Sequence, residues 1–232
     1  MDRLYNFTEE QRLFRKGDSV VERARPTPDE KASAPQPPVY DKLAGHYDCA
    51  FQWLEDWGLR KLRAQLLREL PEDSRVLEVG AGTGLNFAHY PRGAQGAASE
   101  FSIEMLKRAR VKPRPPRVQL VQARAEGLPF AAATFDAAFA TLVFCSVDSP
   151  AQGFAELCRV VRPGGTVALL EHVRPGGPLG PVFDALNRFT VWLCQDHFNR
   201  RTAEAAARAG LRVERVEKHL FGVVQLIICR VI

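Results

Sequence analysis

Short apolar runs alternate with amphipathic stretches over most of the chain. Apolar runs of strand length, bounded by turn residues, predict buried strands. These runs are Val76–Val79, Val118–Val121, Phe135–Thr141 and Val167–Leu170. Apolar residues recur at helical spacing between several of them, at Ile103–Arg110 and Ala151–Val161, and Pro163-Gly164-Gly165 stops the second helix. The alternation predicts an α/β fold in which helices cover both faces of a parallel sheet.

The two ends of this pattern differ from its middle. Phe51–Leu70 repeats apolar residues at three-and-four spacing, which predicts a helix before the first strand. At the other end, the strand-like runs Leu211–Lys218 and Val223–Cys229 are separated by only a few residues, including Gly222. So short a connection cannot make a parallel crossover, and it predicts an antiparallel pair at the sheet edge.

The first 38 residues do not share the alternating pattern. Residues 24–38 contain five prolines and almost no large apolar side chains, which predicts a linker. Upstream of it, scattered apolar residues fit either a mobile tail or a short amphipathic helix. We therefore expect an N-terminal extension and linker at 1–38 and one domain at 39–232.

Composition narrows the class of protein. The chain has 232 residues, of which 46% are hydrophobic and 25% are charged, with a net charge of +5. It contains no run of about 18 apolar residues and no apolar signal-peptide core, so we expect a cytoplasmic protein without a transmembrane helix. The 5 cysteines form no C-x-x-C pair, which argues against a disulfide framework or a metal site.

The stretch Arg75–Asn86 carries the chemistry. A buried strand runs into three alternate glycines and then, by this pattern, into a helix; glycine lets a ligand approach the bare backbone. Glu78 precedes the first glycine by two residues, and an anion there repels phosphate but suits an ammonium group. A second acid, Glu100, follows the short run Gly93–Ser99, where a ribose-binding carboxylate is expected. The two acids favour a nucleoside that bears an amino-acid tail.

At these residues the sequence resembles the class I S-adenosylmethionine-dependent methyltransferases. The resemblance covers most of the chain from Val39 onward. It rests on VLEVGAGTGLN (76–86), EFSIEMLKRAR (100–110), RAEGLPF (124–130), TFDAAFATLVFCSV (134–147) and ELCRVVRPGGTVALLEHV (156–173). It implies a doubly wound, Rossmann-like sheet of seven strands with the last strand antiparallel, and S-adenosylmethionine as cofactor.

The resemblance also implies which residues bind that cofactor. Three glycines would surround the methionine portion with support from Glu78, and Glu100 would accept hydrogen bonds from the ribose hydroxyls. The three glycines are Gly80, Gly82 and Gly84. Phe101 and Met105 would flank the adenine, and Ala125 and Glu126 would meet its edge. Thr141 and Leu142 would border the sulfonium, and Tyr40 would close over the cofactor.

One position departs from the family pattern. Arg124 stands where family members often have an aspartate that contacts the adenine amino group. Arginine only donates hydrogen bonds, so it cannot accept one from that amino group. We therefore expect the Arg124 side chain to turn away.

Several residues are candidates for the acceptor site. Tyr40 and Tyr47 belong to a repeated Tyr-Asp pair that resembles the N-terminal helix of quinone and phospholipid methyltransferases. His172 follows a predicted strand, and a histidine near its ordinary pKa can serve as a base or orient the acceptor. The polar segment Asp196–Arg201 either contributes to the site or begins a helix with Asn199 as its N-cap. Packing roles for each of these residues stay open.

The apolar helix predicted at Phe183–Cys194 favours a small, lipophilic acceptor over a sugar or a nucleotide. The nearest resemblances are to quinone C-methyltransferases and phosphatidylethanolamine N-methyltransferases. Thiol S-methyltransferases and a non-catalytic cofactor-binding protein remain alternatives. Lys107–Arg124 holds seven basic residues and no acid, which fits either a solvated face or peripheral contact with a membrane. No RNA-binding motif accompanies it, so we expect no nucleic-acid partner.

Overall fold

The computed structural model describes residue 41, residues 44–45, residues 47–173 and residues 200–232. Several sequence-based predictions fall outside those ranges. They are the extension and linker at 1–38, the side chain of Tyr40, the apolar helix at Phe183–Cys194 and the polar residues Asp196–Asn199. These remain predictions.

The described residues alternate between strands and helices as the pattern predicts. The strands are β1 (Arg75–Val79), β2 (Gln95–Glu100), β3 (Arg117–Gln122), β4 (Phe135–Thr141), β5 (Val161–His172), β6 (Leu211–His219) and β7 (Val224–Val231). The α-helices are α1 (Tyr47–Leu54), α2 (Arg60–Leu67), α3 (Ile103–Arg110), α4 (Pro150–Val160) and α5 (Thr202–Arg208). Single turns of 3₁₀-helix lie at Phe87–His89 and Leu220–Gly222.

The strands form one sheet in the order β3-β2-β1-β4-β5-β7-β6. Strands β1 to β5 pair in parallel, whereas β7 runs antiparallel to both β5 and β6. The short Leu220–Gly222 turn joins β6 to β7, too short a connection for a parallel crossover. The doubly wound sheet with an antiparallel last strand is therefore confirmed.

Apolar side chains cover both faces of the sheet. On one face, α4 and α5 contribute Phe154, Leu157 and Ala206 to a cluster of buried residues. On the other face, α2 contributes Leu62 and Leu66 to a second cluster. Burying a leucine or phenylalanine side chain stabilises the fold by roughly 1.5–3 kcal/mol, so these faces hold the helices against the strands.

Two helical predictions need correction. The helix predicted over Phe51–Leu70 is divided by a π-helical segment at Glu55–Leu59, inside which Gly58 has a φ of 147° that an α-helix does not accommodate. The glycine loop after β1 leads into the single 3₁₀ turn Phe87–His89 and not into an α-helix. Pro91 and the early start of β2 leave no length for a longer helix. The loop therefore has no helix N-terminus to offer a ligand.

Candidate active site

Most of the candidate residues lie together at the carboxyl ends of the parallel strands, which form one edge of the sheet. Val79 pairs with Ser99 on one side and with Ala140 on the other, and Thr141 pairs with Leu170. The carboxyl ends of β1, β2, β4 and β5 are therefore neighbours. Open α/β sheets bind ligands at this edge.

The three glycines of the loop after β1 have different surroundings. All three have positive φ: 71° at Gly80, 55° at Gly82 and 84° at Gly84. A Cβ at Gly80 would lie 2.3 Å from a methyl group of Val143, and one at Gly84 would lie 2.5 Å from the Phe87 ring. Among the described residues, no atom beyond Gly82 and its two chain neighbours lies within 4 Å of the position that a Cβ at Gly82 would take. Gly82 therefore borders open space, while the other two glycines allow close packing.

Glu100 ends β2 beside this opening. Its carboxylate accepts a hydrogen bond from the Gly82 N–H at 2.9 Å and another from the Ser102 N–H at 2.8 Å. Burial raises the pKa of Glu100, and the backbone N–H groups around it oppose that rise. A carboxylate has about four lone-pair sites, so further hydrogen-bond capacity remains for a ligand.

Glu78 is fully buried below the loop. It accepts hydrogen bonds from the Asn86 side-chain amide at 2.6 Å and from the Tyr90 hydroxyl at 2.7 Å. Burial raises the pKa of Glu78 to about 6. These contacts attach the Glu78 carboxylate to Asn86 at the end of the glycine loop and to Tyr90 beyond it.

A buried ion pair extends this network to the preceding helices. Arg63 of α2 donates to Glu55 at 3.0 Å, to the Asn86 oxygen at 3.1 Å and to the Thr141 hydroxyl at 2.6 Å. Asn86 also donates to Thr141 at 2.8 Å. Arg63 is 5% exposed and Glu55 is 7% exposed. One guanidinium therefore links the helical region, the glycine loop and the end of β4.

Sequence reasoning did not assign Arg63 a role, although a signal exists. Leu59, Leu62 and Leu66 mark the buried face of the helix, and position 63 falls within that face. A charged residue at such a position needs a partner, because burying an unpaired charge is costly. The partner could not be read from spacing, since Glu55 lies on the other side of the Gly58 kink.

Two aspartates attach the N-terminal part of the domain to the site. The Thr83 hydroxyl donates to Asp48 at 2.5 Å, and Lys112 donates to the same carboxylate at 2.6 Å. The Ser102 hydroxyl donates to Asp41. Tyr47, the predicted acceptor-site residue, opens α1 and is half-buried. Asp41 and Asp48 of the repeated Tyr-Asp pairs therefore fix this segment to the loop and to the residues after β2.

The residues predicted to contact adenine follow β2 and β3. Met105 lies in α3 and is buried, and its N–H is capped by Ser102. The Arg124 guanidinium lies 4.5 Å from the centre of the Phe101 ring and pairs with Asp148. Its position relative to the adenine stays a prediction, since the adenine contact of Phe101 is itself an expectation. A guanidinium is attracted to an aromatic face, and Asp148 secures it there.

Residues 124–127, which follow β3, form a tight turn. The Gly127 N–H donates to the Arg124 carbonyl, so half-buried Ala125 and Glu126 lie in the turn. Glu126 accepts a hydrogen bond from the Ser149 N–H at 3.2 Å. The Glu126 carboxylate thus links the turn to the residues just before α4.

The turn after β4 is strained and strongly held. Leu142 has a φ of 59°, which is unusual for a side chain with a Cβ, and its N–H donates to the Leu170 carbonyl at 2.7 Å. The buried carboxylate of Glu171 accepts from the N–H groups of Val143 and Phe144 at 3.1 and 3.0 Å. Arg200 donates to the carbonyls of Phe144 and Val147. These contacts fix Thr141 and Leu142 at the edge of the sheet.

His172 ends β5 at the same edge. Leu170 lies two positions earlier in the strand and packs in the cluster against α2. Because side chains two positions apart point to the same face, His172 lies on that face of the sheet as well. Burial and, to a smaller extent, the charge of Arg63 lower the pKa of His172 to about 4. The expectation of an ordinary histidine pKa is therefore wrong. The imidazole is neutral at neutral pH and is a weak base.

Residues 77–169 match the family described as a methyltransferase domain. The chain is 41% identical over 148 residues to a phosphatidylethanolamine N-methyltransferase of Cereibacter sphaeroides, covering 62% of this chain and 71% of that protein. It is 35% identical over 150 residues to a ubiquinone/menaquinone biosynthesis C-methyltransferase of Syntrophotalea carbinolica. That alignment covers 61% of this chain and 63% of the relative, less than two thirds of its length.

Solved structures share the fold. An S-adenosylmethionine-dependent methyltransferase from Aquifex aeolicus superposes with a TM-score of 0.57 at 19% identity, covering 79% of this chain and 98% of that one. At this identity the likeness concerns the fold alone. The sequence relatives carry the assignment to a family.

Proposed function

Since this chain belongs to the S-adenosylmethionine-dependent methyltransferases and uses S-adenosylmethionine as its cofactor, we propose that it methylates a small lipophilic acceptor of the quinone or phospholipid type. The observation that carries the acceptor class is the 41% identity to a phosphatidylethanolamine N-methyltransferase, with 35% identity to a quinone methyltransferase. Peripheral contact with a membrane is part of this proposal, because such acceptors reside in bilayers.

The proposed cofactor site follows the carboxyl edge of the sheet. The open space at Gly82 supports a methionine site along Gly80, Gly82 and Gly84. Glu100, hydrogen-bonded to the Gly82 N–H, is proposed to accept hydrogen bonds from the ribose hydroxyls. When bound, the cofactor supplies an electrophilic methyl group on its sulfonium. The residues present fit this ligand, since the recessed Glu100 carboxylate adjoins the Gly82 backbone and no described side chain fills the Cβ direction of that glycine.

The adenine is proposed to lie against Phe101 and Met105, with Ala125 and Glu126 at its edge. One face of Phe101 already carries the Arg124 guanidinium, so the proposal places adenine against the remaining surface of that ring. Tyr40 is proposed to close over the cofactor, and it lies outside the described residues.

The acceptor is proposed to bind between Thr141, Leu142, His172 and Tyr47. Thr141 and Leu142 are held by the contacts of the turn after β4, which supports a fixed wall for the reacting groups. His172 is neutral at neutral pH, so we assign it the orientation of the acceptor by hydrogen bonding and not proton removal. Positioning of the acceptor can supply much of the acceleration of a displacement at a methyl group.

A methyl-transfer screen tests the proposal. The purified protein and tritiated S-adenosylmethionine are incubated with a demethylated quinone, with phosphatidylethanolamine or with a small alkyl thiol, and the lipid-soluble product is counted. We expect label in the quinone or the phospholipid. His172→Gln should lower kcat with little change in the KM for the cofactor. Label in the thiol alone, or in none of the three, would contradict the proposed acceptor class.

A further inference from the structure

Two tryptophans stand exposed on the outer face of the first helical region. Trp53 lies in α1 and Trp57 in the π-helical segment, and each is 63% exposed. Their rings are stacked, with centroids 6.5 Å apart and an interplanar angle of 28°. A pair of large aromatic side chains costs solvation free energy when it faces water alone, so an exposed pair marks an interaction surface.

The inner face of the same region is attached to the active-site edge. Asp48, in the first turn of α1, accepts from Thr83 of the glycine loop. Glu55, between the two tryptophans in sequence, is buried and paired with Arg63, which contacts Asn86 and Thr141. A partner bound by Trp53 and Trp57 would therefore be held close to the proposed methyl-transfer site.

Charge on this surface selects the class of partner. Between Gln52 and Lys61, the exposed charged residues are the cations Arg60 and Lys61 and the anion Asp56. Asp56 is already paired with Arg60 at 2.8 Å. An excess of cations beside exposed indole rings complements a surface that is negatively charged and has an apolar interior. Tryptophan rings favour such an interface, with the ring at headgroup depth.

We propose that Trp53 and Trp57 dock the protein on the headgroup region of an anionic phospholipid bilayer. The inference rests on the proposed function, because it gives the route by which a lipophilic acceptor reaches the site. Apolar area and attraction to anionic lipids both contribute to binding of this kind. The exposed cations nearest the pair in sequence are Arg60 and Lys61.

Intrinsic fluorescence tests the docking directly. The chain has three tryptophans, so the full-length Trp192→Phe variant leaves only Trp53 and Trp57 to emit. We expect vesicles of phosphatidylcholine with about 30% phosphatidylglycerol to shift the emission to shorter wavelength, and brominated lipids to quench it. Emission that is unchanged by vesicles overturns the proposal. So does emission that is already blue-shifted without lipid, since another part of the chain or a second copy then covers the pair.

Sedimentation with vesicles gives the matched comparison. Trp53→Ala/Trp57→Ala should lower the partition coefficient on the anionic vesicles at least about tenfold, whereas Ile232→Ser, which alters another exposed apolar residue, should not. Equal binding by the two variants would refute the role of the pair. Both variants should bind S-adenosylmethionine as the wild type does in calorimetry. Vesicle binding without methylation of any acceptor would overturn the proposed function and leave the docking surface intact.

Discussion

Arg63→Met should be far more damaging than Arg60→Met, although the two arginines are three positions apart. Arg63 pairs with Glu55, and the two side chains are 6% and 8% exposed. Arg60 pairs with Asp56 at the surface, where the side chains are 55% and 56% exposed. Removing Arg63 leaves the buried Glu55 carboxylate without its cationic partner. It also removes the guanidinium that donates hydrogen bonds to Asn86 and Thr141.

The magnitudes separate the two variants clearly. Breaking a buried ion pair by removing one partner costs about 3–5 kcal/mol of unfolding free energy. Breaking an exposed pair costs about 0–1 kcal/mol. For a chain of this size, each kcal/mol corresponds to a shift of about 2–4 °C in Tm. Arg63→Met is therefore expected to melt roughly 6–20 °C below the wild type, and Arg60→Met only a few degrees below it.

Urea unfolding and thermal melts measure both variants under the same conditions. The double variant Glu55→Gln/Arg63→Met also removes the buried negative charge of Glu55. It should therefore recover part of the stability lost in Arg63→Met. Equal melting of Arg63→Met and Arg60→Met would refute the reasoning. So would a double variant less stable than Arg63→Met, since the carboxylate would then not be the source of the loss.

Two further predictions concern the site. His172 has a pKa of about 4 in the folded protein, against an ordinary value of 6.5. Between these pH values the unfolded chain binds more protons than the folded protein. The free energy of unfolding therefore decreases as the pH falls from 6.5 to 4. His172→Gln should remove about 2 kcal/mol of the loss in unfolding free energy between pH 7 and pH 5, and an unchanged pH slope in urea titrations would contradict this. Asp48→Ala should weaken cofactor binding several-fold in calorimetry while lowering Tm little, because its partly exposed pair with Lys112 adds little stability but the hydrogen bond it accepts from Thr83 holds the loop. Asp56→Ala, which removes an exposed ion pair in the same helical region, is the control, and equal cofactor affinity of the two variants would count against a role for Asp48.

The strands and the glycine loop were predictable because their signals are local. Apolar runs such as Phe135–Thr141 match β4, and the short Gly222 connection gave the antiparallel pair at the edge. The loop was recognisable from Gly80, Gly82 and Gly84, because few other residues adopt their positive φ values. Glu100 followed from the position expected at the end of the next strand.

The remaining features depend on contacts that are distant in sequence. Arg63 meets Thr141 across 78 positions, and no spacing rule in a single sequence predicts that contact. The pKa of His172 depends on burial and on the charge of Arg63. Arg124 meets Asp148 across 24 positions and lies against the Phe101 ring, contacts that its own sequence neighbourhood does not predict.

Calorimetric titration of S-adenosylmethionine into the wild type and Gly82→Asn tests the central claim most directly. Asparagine tolerates the positive φ of this position, so the loop is retained while the side chain fills the open space beside it. Gly164→Asn is the matched control: its φ is 76°, no described residue beyond its chain neighbours lies within 4 Å of its Cβ position, and it lies near the amino end of β5, away from the site. We expect one cofactor per chain in the wild type and in Gly164→Asn, and binding weakened beyond detection in Gly82→Asn. Equal affinity in all three proteins, or no binding by the wild type, would contradict the proposed site.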